Sequence, residues 1–281
     1  MISVEPVDAT LGAVVRGVRL ADLDAGGWRE IEEAFHTHAV LVFPGQHLTS
    51  DEQKAFGRRF GDLEDIAGTE GLTPIANTRR DGTLLRADSP VMSVLRGNQG
   101  WHTDSSYMPI AAKASMLSAH VVPSQGGATE WADMRAAYDA LDEDTRALLE
   151  GRSAAHSIVY SQRRAGEEVY DGGYGYDVEV PPRRPLVKVH PATGRPALFI
   201  GRHAHAVTGM TDAESEALLD RLVDFACRPP RVYTHHWTVG DLVVWDNRCV
   251  LHRAQPWDWS EPRVMKHTRV SGDPVTEAAL T

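Results

Sequence analysis

The chain has 281 residues, 42% of them hydrophobic and 24% charged, a composition with enough apolar material for a substantial core and unlike that of a disordered chain. Its formal net charge is −10, with no basic run beyond short pairs such as Arg79-Arg80, Arg163-Arg164 and Arg183-Arg184. That balance sets nucleic acid and anionic membrane aside as partners, since both need a concentrated basic face, and points to a small molecule.

No apolar run approaches the roughly 20 residues that span a bilayer, and the start Met1-Ile2-Ser3-Val4-Glu5-Pro6 has neither the basic region nor the apolar stretch of a signal peptide. A cytoplasmic location is expected. The two cysteines, Cys227 and Cys249, read as small core residues. At this length one domain, 1–281, is expected, because all-β barrels and sandwiches commonly reach that size as single units.

In chain order, residues 13–18 have the β-branched look of a strand and 28–35 the spacing of a helix. The apolar run 39–43, closed by Pro44-Gly45, suits a buried strand, and 50–60 a helix whose start, Thr49-Ser50-Asp51-Glu52-Gln53, offers a cap and acids. Residues 67–100 are rich in Gly, Asp, Arg and Pro and read as a long loop with one or two short strands, a length that tends to be functional. Residues 114–122 read as a strand and 134–149 as a helix.

Residues 151–185 are again irregular, with Tyr170, Tyr174 and Tyr176 among glycines, and read as a lid or a disordered insertion; this stretch and 67–100 are the candidate active-site loops. Then come a hairpin through 186–190 and 197–200, a helix over 211–226 opened by acids that suit its dipole, and strands at 232–237, 242–245 and 264–270. There is no internal repeat, and the βαβ rhythm and glycine fingerprint of a dinucleotide fold are missing. The pattern fits a mainly β sandwich or jelly roll with covering helices.

The sharpest chemical feature is Trp101-His102-Thr103-Asp104, because residues two apart on an extended segment point the same way and can face one ion. On its own the signal is weak, since 13 histidines give about one His-x-Asp by chance. A second feature raises it: Trp245-Asp246-Asn247-Arg248 follows an apolar strand and leads to His252. Two histidines and a carboxylate on one face of an iron leave three positions open, as in non-haem Fe(II) oxygenases. Zinc usually takes a closed set of three or four ligands, and no His-Glu-x-x-His helix is present.

Taken together, Trp101-His102-Thr103-Asp104-Ser105-Ser106-Tyr107-Met108-Pro109, Asp133-Met134-Arg135-Ala136-Ala137-Tyr138, Gly201-Arg202-His203-Ala204-His205 and Trp245-Asp246-Asn247-Arg248 give the chain a resemblance to the taurine dioxygenase and 2,4-dichlorophenoxyacetate dioxygenase family. It extends over nearly the full length, and within the family the chain is most similar to aryloxyalkanoate dioxygenases acting on phenoxypropionate herbicides. The resemblance implies a double-stranded β-helix (jelly roll) with His102, Asp104 and His252 as facial triad for Fe(II). It implies Thr129 and Arg263 on the distal carboxylate of 2-oxoglutarate, a role that suits the planar guanidinium.

One position departs from the family pattern. Where taurine dioxygenase has a second arginine, four residues after the first, this chain has His267, with Arg269 nearby but out of step. The family's substrate-side asparagine is matched by Asn98, and two pocket aromatics align with Ile158 and Ala204, smaller side chains that suit a bulkier, flatter substrate. For an aromatic ether with a carboxylate tail, Arg202, Arg96 and Arg86 are the candidate counter-charges. His203 and His205 face the cavity or serve as structural histidines, and His235 and His236 read as structural.

The implied reaction consumes 2-oxoglutarate and O2, yields succinate and CO2, and hydroxylates a small organic acid. Attack at a carbon bearing an ether oxygen gives a phenol and a keto acid. The carboxylate Asp104 favours hydroxylation over halogenation. The rivals are the same chemistry on a natural-product, amino-acid or alkylsulfate substrate, a zinc hydrolase, and a metal-binding protein that has lost activity. Closed dimers or tetramers suit a soluble enzyme of this size.

Overall fold

The computed structural model describes residues 1–66, 68–167, 169 and 174–280. Its main element is a seven-stranded sheet in the order Ser3–Pro6, Ala13–Arg16, Val40–Phe43, Leu242–Asp246, Ala112–Val121, Val264–Ser271, Thr73–Ala76. The pairing of Ala13–Arg16 with Val40–Phe43 is parallel, and the others in this sheet are antiparallel. A three-stranded antiparallel sheet, Val232–His235, Thr129–Asp133 and Val250–Ala254, packs on its inner face.

Strand side chains alternate between faces, and because both faces of Val40–Phe43 and of residues 242–245 are covered, those stretches are apolar at every position. Val40, Val42, Val243, Trp245, Leu117 and Met265 point into the core between the sheets, where Trp131 and Trp245 meet with ring centroids 5.7 Å apart. Leu41, Phe43, Leu242, Val244, Met116 and Val270 point the other way, into a second cluster under the helices. There Ala25–His38 and Ser50–Gly57 supply Ile31, Phe35 and Phe56, and Phe60 sits edge-on to Trp28 and Phe35 at 4.8 and 4.9 Å. Removing a ring as buried as Trp131 or Trp245 costs about 3–5 kcal/mol.

The local signals at 50–57 and 212–226 act as expected: Thr49 and Thr211 each close a capping box with the glutamate three residues on. Other stretches differ from the sequence reading. The helix expected over 134–149 is two, Met134–Asp139 and Glu143–Leu149, because Asp142 accepts a hydrogen bond from the Thr145 N–H at 2.7 Å and starts a new helix.

Residues 67–100 hold the strand Thr73–Ala76 and also a helix, Pro90–Gly97, whose proline sits in the first turn, where it is tolerated rather than breaking. Residues 151–185 hold Ser153–His156 and Arg183–Pro185, which pair with each other, and the helix Ile158–Arg164. Within these two stretches Ala67, Glu168 and residues 170–173, Tyr170 among them, lie outside the described residues.

Candidate active site

His102 and His252 are brought together by backbone pairing: each donates its N–H to the other's carbonyl, at 3.0 and 2.8 Å, in an isolated antiparallel bridge. Residues directly opposite in such a pair project to the same side, so the two rings lie 4.1 Å apart by centroid. Asp104, two residues after His102, completes the group, with one ligand atom from each of the three within 4.8 Å of the others, all buried. His102 Nδ1 is 2.8 Å from the Gly100 carbonyl, which fixes the proton there and leaves Nε2 with its lone pair.

Electrostatics prepares these groups for a cation. Burial pushes the His102 imidazole down to about 4. Burial and then the neighbouring His102 hold His252 well below the ordinary histidine range. Burial alone would raise the Asp104 carboxyl, but Arg269, followed by His252 and His267, holds it well below the usual carboxylate range. At neutral pH the site therefore offers two neutral imidazoles and one carboxylate.

The motif at 245–248 supports this carboxylate from behind. Asn247 Oδ1 accepts from the Trp245 indole at 3.1 Å and from the Asp104 N–H at 3.4 Å, while its amide donates to Ser115 Oγ at 2.8 Å. Ser115 Oγ in turn donates to Asp104 Oδ2 at 2.7 Å. Asp246 does different work: Arg248 at 2.6 and 2.7 Å and His190 at 2.9 Å saturate it. The second buried cluster with metal-binding groups, His190, Asp246 and Cys249, is for that reason an ion-pair node rather than an ion site.

Two cavities meet at this trio. One, of about 50 Å³, runs from His102, Asp104 and His252 to Thr129 and Arg263. The other, of about 160 Å³, opens from His102 and Asp104 past Tyr107, His203, Ile158 and Tyr174. Asn98, Ile75, His267 and Arg269 border both.

In the smaller cavity Arg263 is 2% exposed, its Nε donates to the Gly127 carbonyl at 3.2 Å, and its Nη2 has no partner among the described residues. Among the described residues no carboxylate pairs with it, and burial pushes its guanidinium down to about 10. A buried cation of this kind calls for an anion. Thr129 Oγ1 faces the same cavity, accepting from the Trp237 indole at 2.9 Å. A dicarboxylate reaching from the trio to Arg263 fits this donor set.

Arg269 borders both cavities. Its Nη2 lies 3.1 Å from Asp104 Oδ1, its Nε has no partner among the described residues, and its guanidinium covers the Tyr174 ring. Counting residues along the chain makes Arg269 look out of step with His267. Along the strand Val264–Ser271, however, the two sit one pleat apart on the same face, and both border the cavities. His267 stacks on Trp245 and reaches within 3.4 Å of Asp104 without hydrogen-bonding geometry.

The other sequence candidates divide. Asn98 follows the helix Pro90–Gly97 and Ile158 begins Ile158–Arg164, and both border the larger cavity. Arg202 also lines it, but its two Nη groups are engaged with the Gly97 carbonyl and Gln162 Oε1. Arg96 pairs with Glu167 at 2.7 Å and the exposed Arg86 with Asp88 at 2.8 Å. Ala204 borders neither of these cavities; it is buried, on the wall of a separate cavity with Arg202, Leu219 and Val223. His203 lines the larger cavity with its Nδ1 2.8 Å from Ser161 Oγ, whereas His205 stacks on Tyr160 away from it. His235 is taken by Asp241 at 3.2 Å.

A family profile described as taurine catabolism dioxygenase TauD, TfdA family matches residues 3–269. The chain is 55% identical over 287 residues to the (S)-phenoxypropionate/alpha-ketoglutarate-dioxygenase of Delftia acidovorans, covering 99% of this chain and 98% of that one. It is 43% identical over 257 residues to the alpha-ketoglutarate-dependent 2,4-dichlorophenoxyacetate dioxygenase of Cupriavidus pinatubonensis, covering 88% and 89%. Among solved structures, AAD-2 in complex with Mn(II) and N-oxalylglycine superposes with a TM-score of 0.91 at 39% identity, covering 100% of this chain and 99% of that one.

Proposed function

Because the chain belongs to the taurine catabolism dioxygenase TauD, TfdA family, we propose that it oxidises the ether-bearing carbon of aryloxyalkanoic acids, those of the (S)-phenoxypropionate class foremost. It is an iron(II)- and 2-oxoglutarate-dependent dioxygenase. Its sheets form the jelly roll of that family, as one domain over 1–281, and it works in the cytoplasm on a small carboxylic acid rather than on nucleic acid or membrane.

Iron(II), 2-oxoglutarate and O2 supply the oxidising power when bound, with succinate and CO2 as products. In this reading His102, Asp104 and His252 would hold the metal where the two cavities meet. Arg263 and Thr129 bind the distal carboxylate of 2-oxoglutarate and so point its keto-acid end at the metal. The larger cavity seats the aryl acid against Ile158, Asn98, His203 and the Arg202-supported wall. Arg269 takes the substrate carboxylate. Transfer of one oxygen atom into the C–H bond beside the ether oxygen gives a hemiketal, which collapses to a phenol and a 2-keto acid, pyruvate in the case of a 2-aryloxypropionate.

The observation that carries this reading is that two cavities share one metal-ligand trio, with the buried Arg263 on the smaller one alone and Arg269 bordering both. The test compares a phenoxypropionate with its neutral amide in Arg269→Gln protein. KM for the acid is expected to rise about 100-fold, as for loss of a charge-assisted contact, with KM for the amide unchanged, while kcat falls on both because Asp104 loses its Arg269 partner. Equal rises in KM on both would reject Arg269 as the carboxylate seat, and turnover of alkylsulfates or amino acids in place of phenoxy acids would reject the substrate class.

A further inference from the structure

Immediately after Asp104 the backbone takes a conformation that L side chains rarely adopt: Ser105 has φ 53° and is fully buried. Strain of that kind persists only where the surroundings over-determine it. Here they do. Ser105 Oγ donates to Glu64 Oε2 at 2.8 Å and lies 2.8 Å from the Tyr174 hydroxyl, which donates to the same carboxylate oxygen. Glu64 is itself fixed to the sheet, its N–H donating to the Arg269 carbonyl at 2.9 Å and its neighbour Leu63 bridging to Val270. On the other side of Ser105, the buried Arg184 guanidinium donates to the Ser106 and Met108 carbonyls.

Tyr174 belongs to the wall of the larger cavity. Its ring lies beneath the Arg269 guanidinium and 6.2 Å from the Tyr107 ring. Gly175 follows with φ 83°, and a Cβ there would come 2.3 Å from Tyr107, so the chain beside Tyr174 is seated closely on that ring. One hydroxyl on Ser105 thus joins the strained residue next to Asp104, a catch fixed to the sheet, and an aromatic wall of the substrate chamber.

We propose that Ser105 is the positioning residue that ties the seating of Tyr174 over the substrate chamber to the orientation of Asp104, with Glu64 as the fixed catch. With Tyr174 seated, its hydroxyl helps hold Ser105, and Ser105 holds the peptide that carries the Asp104 side chain. With Tyr174 displaced, one of those contacts is lost and Asp104 is less well directed. This inference rests on Asp104 as an iron ligand, and it assigns to the same site a control: the metal carboxylate is best aligned when the chamber is closed.

The test begins with metal-free, full-length protein and amide hydrogen exchange over residues 102–110 and 174–182. Ser105→Ala and Ser105→Gly are expected to speed exchange in 174–182, and Glu64→Gln in both segments. Glycine takes φ 53° without strain, so Ser105→Gly keeps its fold even where the alanine variant does not. Unchanged exchange at 174–182 in both Ser105 variants overturns the coupling.

In loaded enzyme, succinate released per phenol should rise about fivefold in Glu64→Gln or Tyr174→Phe, the worth of one net hydrogen bond, and no further in the double variant. A double variant showing the product of the two single effects overturns it too. Absence of succinate from the wild-type enzyme would instead overturn the oxygenase site, and the exchange data would still decide the role of Ser105.

Discussion

Replacing Arg263 with methionine should have two effects of opposite sign. In the metal-free protein the guanidinium is a buried cation with one Nη group unpartnered and no carboxylate beside it among the described residues. Methionine fills similar volume without a charge to desolvate, so the unloaded variant should be as stable as the wild type or more so. With 2-oxoglutarate bound, the same change removes two charge-assisted hydrogen bonds of about 1.5–2 kcal/mol each, or about 3–4 kcal/mol in all. That corresponds to about a 150- to 1000-fold weaker dissociation constant. Anaerobic titration of the iron(II)-loaded variant with 2-oxoglutarate, beside urea unfolding of the unloaded one, reads both quantities. Affinity within threefold of wild type, or a loss of several kcal/mol in the unloaded protein, would refute the assignment of this guanidinium to an absent dicarboxylate.

Asn247→Ala removes the group that orders Ser115 against Asp104, and iron(II) affinity measured anaerobically should fall about tenfold while the metal-free fold survives. Ile158→Trp fills part of the larger cavity only, so KM for an aryloxy acid should rise about tenfold with KM for 2-oxoglutarate unchanged. Burial holds His156, whose two ring nitrogens lack partners among the described residues, down to about 3 and His102 down to about 4. Both are neutral when folded and take up a proton near pH 6.5 when unfolded. Their contribution to stability is complete above pH 6.5 and is lost as pH falls toward 4, at about 2 kcal/mol per pH unit near pH 5. Urea midpoints of metal-free protein from pH 7 to 4.5 check this, and a flat or rising profile contradicts it.

Of the trio, His102 and Asp104 were legible from local geometry, two residues apart on an extended segment, whereas His252 is joined to them by backbone pairing and was assigned as their partner only through the family resemblance. The central strands and the capped helices, like the first two, were legible from local geometry. Arg269 was not, because counting along the chain put it out of step, while the pleat of the strand Val264–Ser271 puts positions 267 and 269 on one face. The support behind Asp104 joins Ser115 on one strand to Asn247 beyond another, and the Glu64–Ser105–Tyr174 contact joins three separate loops, so pairing rather than local pattern creates both. The helix Pro90–Gly97 escaped notice because its proline reads as a breaker unless its place in the first turn is known. Ala204, matched to a pocket aromatic by resemblance, lies on the wall of a separate cavity rather than on the two that meet at the trio.

The most direct test of the central claim is anaerobic loading with iron(II) and 2-oxoglutarate, then exposure to O2 with (S)- or (R)-2-phenoxypropionate, with succinate and phenol quantified in wild-type and His102→Ala protein. The account predicts that the (S)-acid stimulates succinate release matched about one to one by phenol, and that His102→Ala protein forms neither. Equal succinate from both proteins, or none from either with any phenoxy acid, would contradict it.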